Sequence, residues 1–151
     1  MNEELCVPAK EFGIAAEAQM LYWAERMGYS PTYSGGNRRG IDIEMDLQQK
    51  PVSVDVKAGF VWEGRGLGFM GRRAGKLIRA DYLGFVVHPR DEFPRLFEGR
   101  LEFPPFSSIH LVPADDVENV FARHKNVKGE PSGMNVYASV EELAPYLVAG
   151  K

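Results

Sequence analysis

The sequence predicts an α/β domain, a mixed central sheet flanked by helices. Three observations predict it. Two successive stretches, Gly40 to Leu47 and Val52 to Lys57, alternate apolar and polar residues with period two, as half-buried strands do. Tyr82-Leu83-Gly84-Phe85-Val86-Val87 is a continuous apolar run that fits a strand buried on both faces. Ahead of them, apolar residues recur at helical spacing. The chain has 151 residues, so one domain spanning 1–151 is expected. That length can bury a core without disulfides or structural metal.

The first helix is expected from Pro8 to Met27, closed by Gly28 as its C′ residue. Phe12, Ala16, Met20, Trp23 and Met27 fall on one stripe, widened by Ile14, Leu21 and Ala24. Glu17 projects inside this apolar arc, and a carboxylate there needs a partner. Tyr29 to Arg39 reads as a strand end and a loop, with Ser34-Gly35-Gly36-Asn37 as turn chemistry.

The hairpin comes next. Ile41, Ile43, Met45 and Leu47 share one face, as do Val52, Val54 and Val56. The other face carries Asp42, Glu44 and Asp46, then Ser53, Asp55 and Lys57. If Leu47 pairs with Val52, the connection is Gln48-Gln49-Lys50-Pro51 and Asp42 stands opposite Lys57. A slip by two residues puts Asp42 opposite Asp55, while a slip by one mixes the faces and is disfavoured. In both allowed registers Asp42 and Asp55 are direct or diagonal neighbours, roughly 5–8 Å apart at Cβ. One cation fits between them.

Gly59 to Gly75 is glycine-rich and is expected to be a long mobile loop, followed by a short basic helix over Arg72 to Asp81. Phe93 to Phe106 is proline-rich and expected to be irregular, with a short helical turn. Ser108 to Val112 reads as a strand. Ala114 to His124 reads as a helix with Asp115 and Asp116 at its positive end. Asn126 to Ser139 reads as a loop. Ser139-Val140-Glu141-Glu142 is a capping box opening a last helix to about Leu147.

Composition narrows the function. Apolar residues make up 44% and charged residues 26%, an ordinary globular balance. One cysteine, Cys6, excludes an internal disulfide and a cysteine-based zinc site. The acidic start Met1-Asn2-Glu3-Glu4 is not a secretory signal, and no run reaches membrane-spanning length, so a cytoplasmic location is expected. A net charge of −3 argues against non-specific coating of nucleic acid. Charge is nonetheless segregated. Arg65, Arg72, Arg73, Lys76 and Arg79 follow the hairpin, and Arg38 and Arg39 precede it. A local positive surface on an acidic protein results, suited to phosphate contacts with DNA.

A sheet face bearing four carboxylates and a lysine is costly unless it is wet, paired or bound to a cation. Carboxylates beside one lysine suit a hard divalent metal that activates water against a phosphodiester. The order is helix with Glu17, strand with Asp42, strand with Asp55-x-Lys57, basic segment, buried strand. Over roughly Phe12 to His88 this resembles the PD-(D/E)xK nuclease superfamily, of restriction-endonuclease-like fold. The resemblance implies that Glu17, Asp42, Asp55 and Lys57 form a site for Mg²⁺ or Mn²⁺. Asp42, Asp55 and the Val56 carbonyl would be oxygen ligands, with Glu17 acting through water or on a second ion. Lys57 would orient or deprotonate the attacking water. Ser34 to Asp42 also looks like the loop before the metal-binding aspartate of archaeal Holliday junction resolvases, which makes Ser34 a secondary candidate. Ile41 stands where many members have proline, and Asp55 stands where glutamate is commoner.

The expected activity is a Mg²⁺-dependent endodeoxyribonuclease on structured or branched DNA, as a homodimer, because one site cannot readily cut both strands. Two competitors come from other classes: a non-catalytic nucleic-acid-binding or assembly protein that keeps the fold, and an acidic-faced interaction domain. Other signals point to structure. His88, His110 and His124 lack ligand spacing. Gly64-x-Gly66-x-Gly68 lacks the flanks of a phosphate loop. Phe60, Trp62 and Phe69 are expected to pack, with base stacking as the alternative.

Overall fold

The computed structural model describes residues 9–34, 40–62, 66–70, 75–87, 95–97, 100–102, 108–125, 128 and 131–150. Helix α1 runs Ala9–Arg26. Gly28 ends it at φ +80°, donating to the Glu25 carbonyl while the Tyr29 N–H reaches the Ala24 carbonyl. This is the expected glycine stop. Ala16, Met20, Trp23 and Ala24 are buried, and Leu21 packs beside them. Ile14 and Met27 are exposed, so the buried stripe is narrower than expected.

Strand β1 (Thr32–Tyr33) pairs antiparallel with β2 (Ile43–Leu47), and β2 pairs antiparallel with β3 (Lys50–Trp62). The register joins Leu47 to Lys50 and Ile43 to Val54. That is the alternative shifted by two residues, and it carries Asp42 toward Asp55 rather than Lys57. The connection is two residues, Gln48 and Gln49, both at positive φ (53° and 66°). Such a turn matches the right-handed twist of the strands. The register also suits Pro51. Its partner Asp46 sends its N–H outward to the Tyr29 carbonyl at 2.8 Å, so this pair needs no ladder hydrogen bond from the proline nitrogen.

β3 also pairs parallel with β5 (Tyr82–Val87), from Val54 opposite Tyr82 to Gly59 opposite Val87. β5 is buried as expected. β8 (Ser108–Pro113) follows antiparallel, then β11 (Leu147–Gly150). The far end of β3 pairs with β4 (Gly66–Met70), β4 with β10 (Pro131–Ala138), and β10 with β9 (Ala122–Lys125). Among the described residues the sheet has nine strands and is mixed.

Several expectations need correction. Over its described residues the glycine-rich stretch after Gly59 is strand and not loop: β3 continues to Trp62 and β4 spans Gly66–Met70. Glycine reads as a strand breaker, yet here it permits close strand approach. A Cβ at Gly66 would collide with the Ala138 carbonyl. Residues 75–81 form no helix. Within 93–106 the described residues are strand and not helical turn: β6 (Arg95–Phe97) pairs antiparallel with β7 (Arg100–Glu102). Helix α2 (Ala114–Val120) stops before β9, so it is shorter than expected. The expected loop 126–139 contains β10. The capping box at Ser139 and Glu142 forms, but α3 is only Val140–Leu143, followed by a 3-10 turn Ala144–Tyr146.

Two cores result. One lies between α1 and the sheet and holds Met20, Ile43, Met45, Val52, Val54, Val56, Val86 and Ile109. The other lies on the opposite side and is aromatic: Phe69 meets Phe85 and Phe121 at ring distances of 5.5 and 4.9 Å. Phe69 therefore packs, as expected. The side chains of Phe60 and Trp62 lie outside the described residues. His110 is a buried core histidine, with Ser108 Oγ at 3.0 Å from one ring nitrogen and the Leu143 carbonyl at 3.3 Å from the other. Burial lowers its pKa and keeps it neutral.

Candidate functional site

Residues 55–59 of β3 pair with β5 alone among the described residues, because β2 has left at Val54 and β4 joins only at Phe60. Asp42 stands at this handover. Its N–H still donates to the Val54 carbonyl at 2.9 Å, but its carboxylate accepts from the Val56 N–H at 2.8 Å. A side chain has taken the ladder bond that a strand would have made. A strand residue sends its N–H and C=O to the same edge, so the Val56 carbonyl opens toward Asp42 as well.

Three carboxylates meet here in a chain. Glu17 comes from α1, and Asp42 is in hydrogen-bond reach of both Glu17 and Asp55. Asp55 is only 6% exposed. Burial pushes its carboxyl up to about 6; Lys57, with Nζ 3.5 Å from Oδ1, draws it back, and Asp42 raises it again. Burial also raises Glu17, opposed by a hydrogen bond from Tyr33 and reinforced by Asp42. Carboxylates this close need shared protons or a cation between them.

The donor set fits a hard divalent ion, since it is all oxygen and carries excess negative charge. Among the described residues no three such side chains close on one point as a ready cage. Asp42 is instead common to two pairs, with one oxygen held by the Val56 N–H. Mg²⁺ is commonly held by one or two carboxylates, with waters and substrate oxygens completing the shell, so a closed cage is not required.

Tyr33 is the site neighbour that sequence reasoning missed. Its hydroxyl donates to Glu17 Oε2 at 2.8 Å, which holds the phenol above its ordinary pKa. A lone tyrosine gives no pattern signal. Ser34, the secondary candidate, touches the site through its backbone, its N–H donating to the Asp42 carbonyl at 2.8 Å.

Of the basic candidates, Arg38, Arg39, Arg65, Arg72 and Arg73 lie outside the described residues. Lys76 and Arg79 are exposed. Their segment is anchored. Leu77, Ile78 and Ala80 are buried, and the Leu77 N–H donates to Glu118 at 2.7 Å. The Gly75 carbonyl accepts from Arg123, and Asp81 is tied to Ser53 by both backbone and hydroxyl. The Arg79 stem lies against Gly40, where an added Cβ would stand 3.3 Å from the arginine Cβ. Gly40 has φ +77°, so both its conformation and its neighbour require glycine. The Arg79 stem thereby lies beside Gly40, two positions before Asp42 in the chain.

No protein-family model and no curated protein sequence matches the chain. Among solved structures it is similar to a bacterial homing endonuclease, I-Ssp6803I. The TM-score is 0.55 at 17% identity, over 89% of this chain and 77% of that one. The chain has a nuclease-like α/β fold. At that identity the likeness extends to the fold alone. No described helix is long and apolar enough to cross a membrane.

Proposed function

We propose that this protein is a divalent-metal-dependent deoxyribonuclease, a cytoplasmic member of the PD-(D/E)xK superfamily that cuts structured or branched DNA internally. The observation that carries the reading is the contact chain Glu17, Asp42, Asp55 beside Lys57, at the one stretch of β3 that β2 and β4 both leave unpaired. That the similar structure is a homing endonuclease supports DNA as the substrate and an endonuclease as the class.

Asp42 and Asp55 would hold Mg²⁺ or Mn²⁺ with the Val56 carbonyl, and Glu17 would act on the outer side, through water or a second ion. A bound ion would supply Lewis-acid stabilisation of charge on the scissile phosphate and its leaving oxygen. Lys57 orients the attacking water and accepts or steers its proton. Arg79 and Lys76 present cations to the DNA backbone from an anchored segment, with Arg38, Arg39, Arg65, Arg72 and Arg73 as further phosphate contacts and Ser34 beside the loop. A homodimer would supply two sites for two strands.

The competing reading is a DNA-binding or assembly protein without cleavage. It draws on the fact that the Val56 N–H and Lys57 already engage Asp42 and Asp55. One assay separates them. Plasmid, single-stranded and four-way-junction DNA are incubated with Mg²⁺ or Mn²⁺ and with EDTA. Metal-dependent cleavage, strongest on the junction, supports the proposal. Binding without cleavage at any metal concentration supports the competitor.

A further inference from the structure

The Tyr33 hydroxyl is the polar contact of this site that the proposed chemistry leaves unused. Tyr33 is 51% exposed, yet its hydroxyl is committed to Glu17 Oε2 at 2.8 Å. The backbone brings this about. β1 is two residues long and pairs Tyr33 with Ile43. Paired residues share a sheet face, and Ile43 faces α1, so Tyr33 is turned toward the helix that bears Glu17. The next residue, Ser34, donates its N–H to the Asp42 carbonyl at 2.8 Å. One dipeptide thus holds both ends of the Glu17–Asp42 pair, the first through a side chain and the second through the backbone.

Folding alone does not explain the contact. A hydrogen bond at an exposed tyrosine adds little stability, since water can replace either partner. Position gives it another use. Two carboxylates in contact repel, and an unrestrained glutamate on a helix would swing its head into solvent. A donor on Oε2 at 2.8 Å holds the Glu17 head in place on the Asp42 side.

We infer that Tyr33 is a positioning residue: its hydroxyl holds the Glu17 carboxylate toward Asp42 and so sets how tightly the outer side of the site binds a divalent ion. The inference rests on the cation site proposed above. Such second-layer hydrogen bonds commonly govern metal affinity on the order of tenfold or more.

The test is Tyr33→Phe, which keeps the ring and removes one hydroxyl. Mn²⁺ binding is measured by calorimetry without DNA, on wild type, Tyr33→Phe, Glu17→Gln and the double variant. The thermal midpoint of each metal-free protein serves as the folding control. Tyr33→Phe is expected to melt with wild type and to bind Mn²⁺ on the order of tenfold more weakly. The double variant is expected to bind no more weakly than Glu17→Gln alone, because the hydroxyl acts only through that carboxylate. In cleavage assays the half-saturating Mg²⁺ concentration should rise by the same factor, with the saturated rate within about twofold.

Wild-type affinity in Tyr33→Phe, or additive losses in the double variant, overturns the inference and leaves the cation site standing. No Mn²⁺ binding by wild type overturns both. Mn²⁺ binding without cleavage of any DNA overturns the nuclease reading, while the calorimetry still decides the role of Tyr33.

Discussion

The two halves of β3 are built on different principles. The first, Val52 to Val54, pairs with β2, is joined by β5 from Val54 on, and buries an aliphatic face against α1. The second, Phe60 to Trp62, leads into β4, whose Phe69 helps build an aromatic core on the opposite side of the sheet. The strand changes partners and faces between them, at residues 55–59. There its edge away from β5 is met by a side chain and not by a described strand. Asp42, capping the Val56 N–H, is the visible case. A candidate reactive site thus sits where the fold hands over from one packing scheme to the other, with each core holding one side rigid.

The contrast can be broken from the aromatic side. Phe69→Ala removes the ring that joins Phe85 and Phe121, and should cost about 3–5 kcal/mol by denaturant titration. Val54→Ala, in the aliphatic half, should cost less because fewer buried atoms are lost. Equal losses would mean that the halves are not energetically distinct.

The next effect sits at the handover. Metal-free Asp55 titrates near 6 in the folded protein, against roughly 3.9 when unfolded. The folded state then binds more protons between those values. Stability therefore falls as pH rises from about 4 through 6 and levels off above, the ionised group costing on the order of 3 kcal/mol at neutral pH. Glu17 is raised too and adds in the same direction. Asp55→Asn should melt higher than wild type at pH 7.5 without metal and show a flatter pH profile. A lower melting point would mean that Asp55 is a stabilising partner of Lys57.

Gly40→Ala probes the rim. It forces an alanine to φ +77° against the Arg79 stem, and should cost about 1–2 kcal/mol. The smallest expected effect is electrostatic. Arg79→Ala should lower the slope of log affinity against log salt for duplex DNA by about 0.9, with the fold retained. An unchanged slope would remove Arg79 from the phosphate contacts.

The same division explains what was legible in the sequence. The aliphatic half announces itself, because alternation from Ile41 to Leu47 and from Val52 to Lys57 follows from one buried face. Gly28 and the Ser139–Glu142 box were equally clear, being local chemistry. Register was not fixed by alternation, since a shift of two residues preserves every face, and Gln48-Gln49 carries no glycine to mark a two-residue turn. The aromatic half was hidden because β4 uses glycine for close strand approach, which reads as a loop. The neighbourhood of Glu17, Asp42, Asp55 and Lys57 could be proposed from residue order, whereas Tyr33 is placed by a two-residue strand that leaves no periodic trace.

If the carboxylate chain at the handover is a working cation site, cleavage needs both Asp42 and Asp55. The most direct measurement is cleavage of a four-way junction by Asp42→Asn and Asp55→Asn at saturating Mg²⁺, with melting curves to establish folding. Asparagine keeps an oxygen for the Val56 N–H, so Asp42→Asn should remain folded. Both variants are expected to fold and to lose on the order of a hundredfold or more in rate, about 3 kcal/mol or more of transition-state stabilisation. Cleavage within about threefold of wild type by both would contradict the cation site.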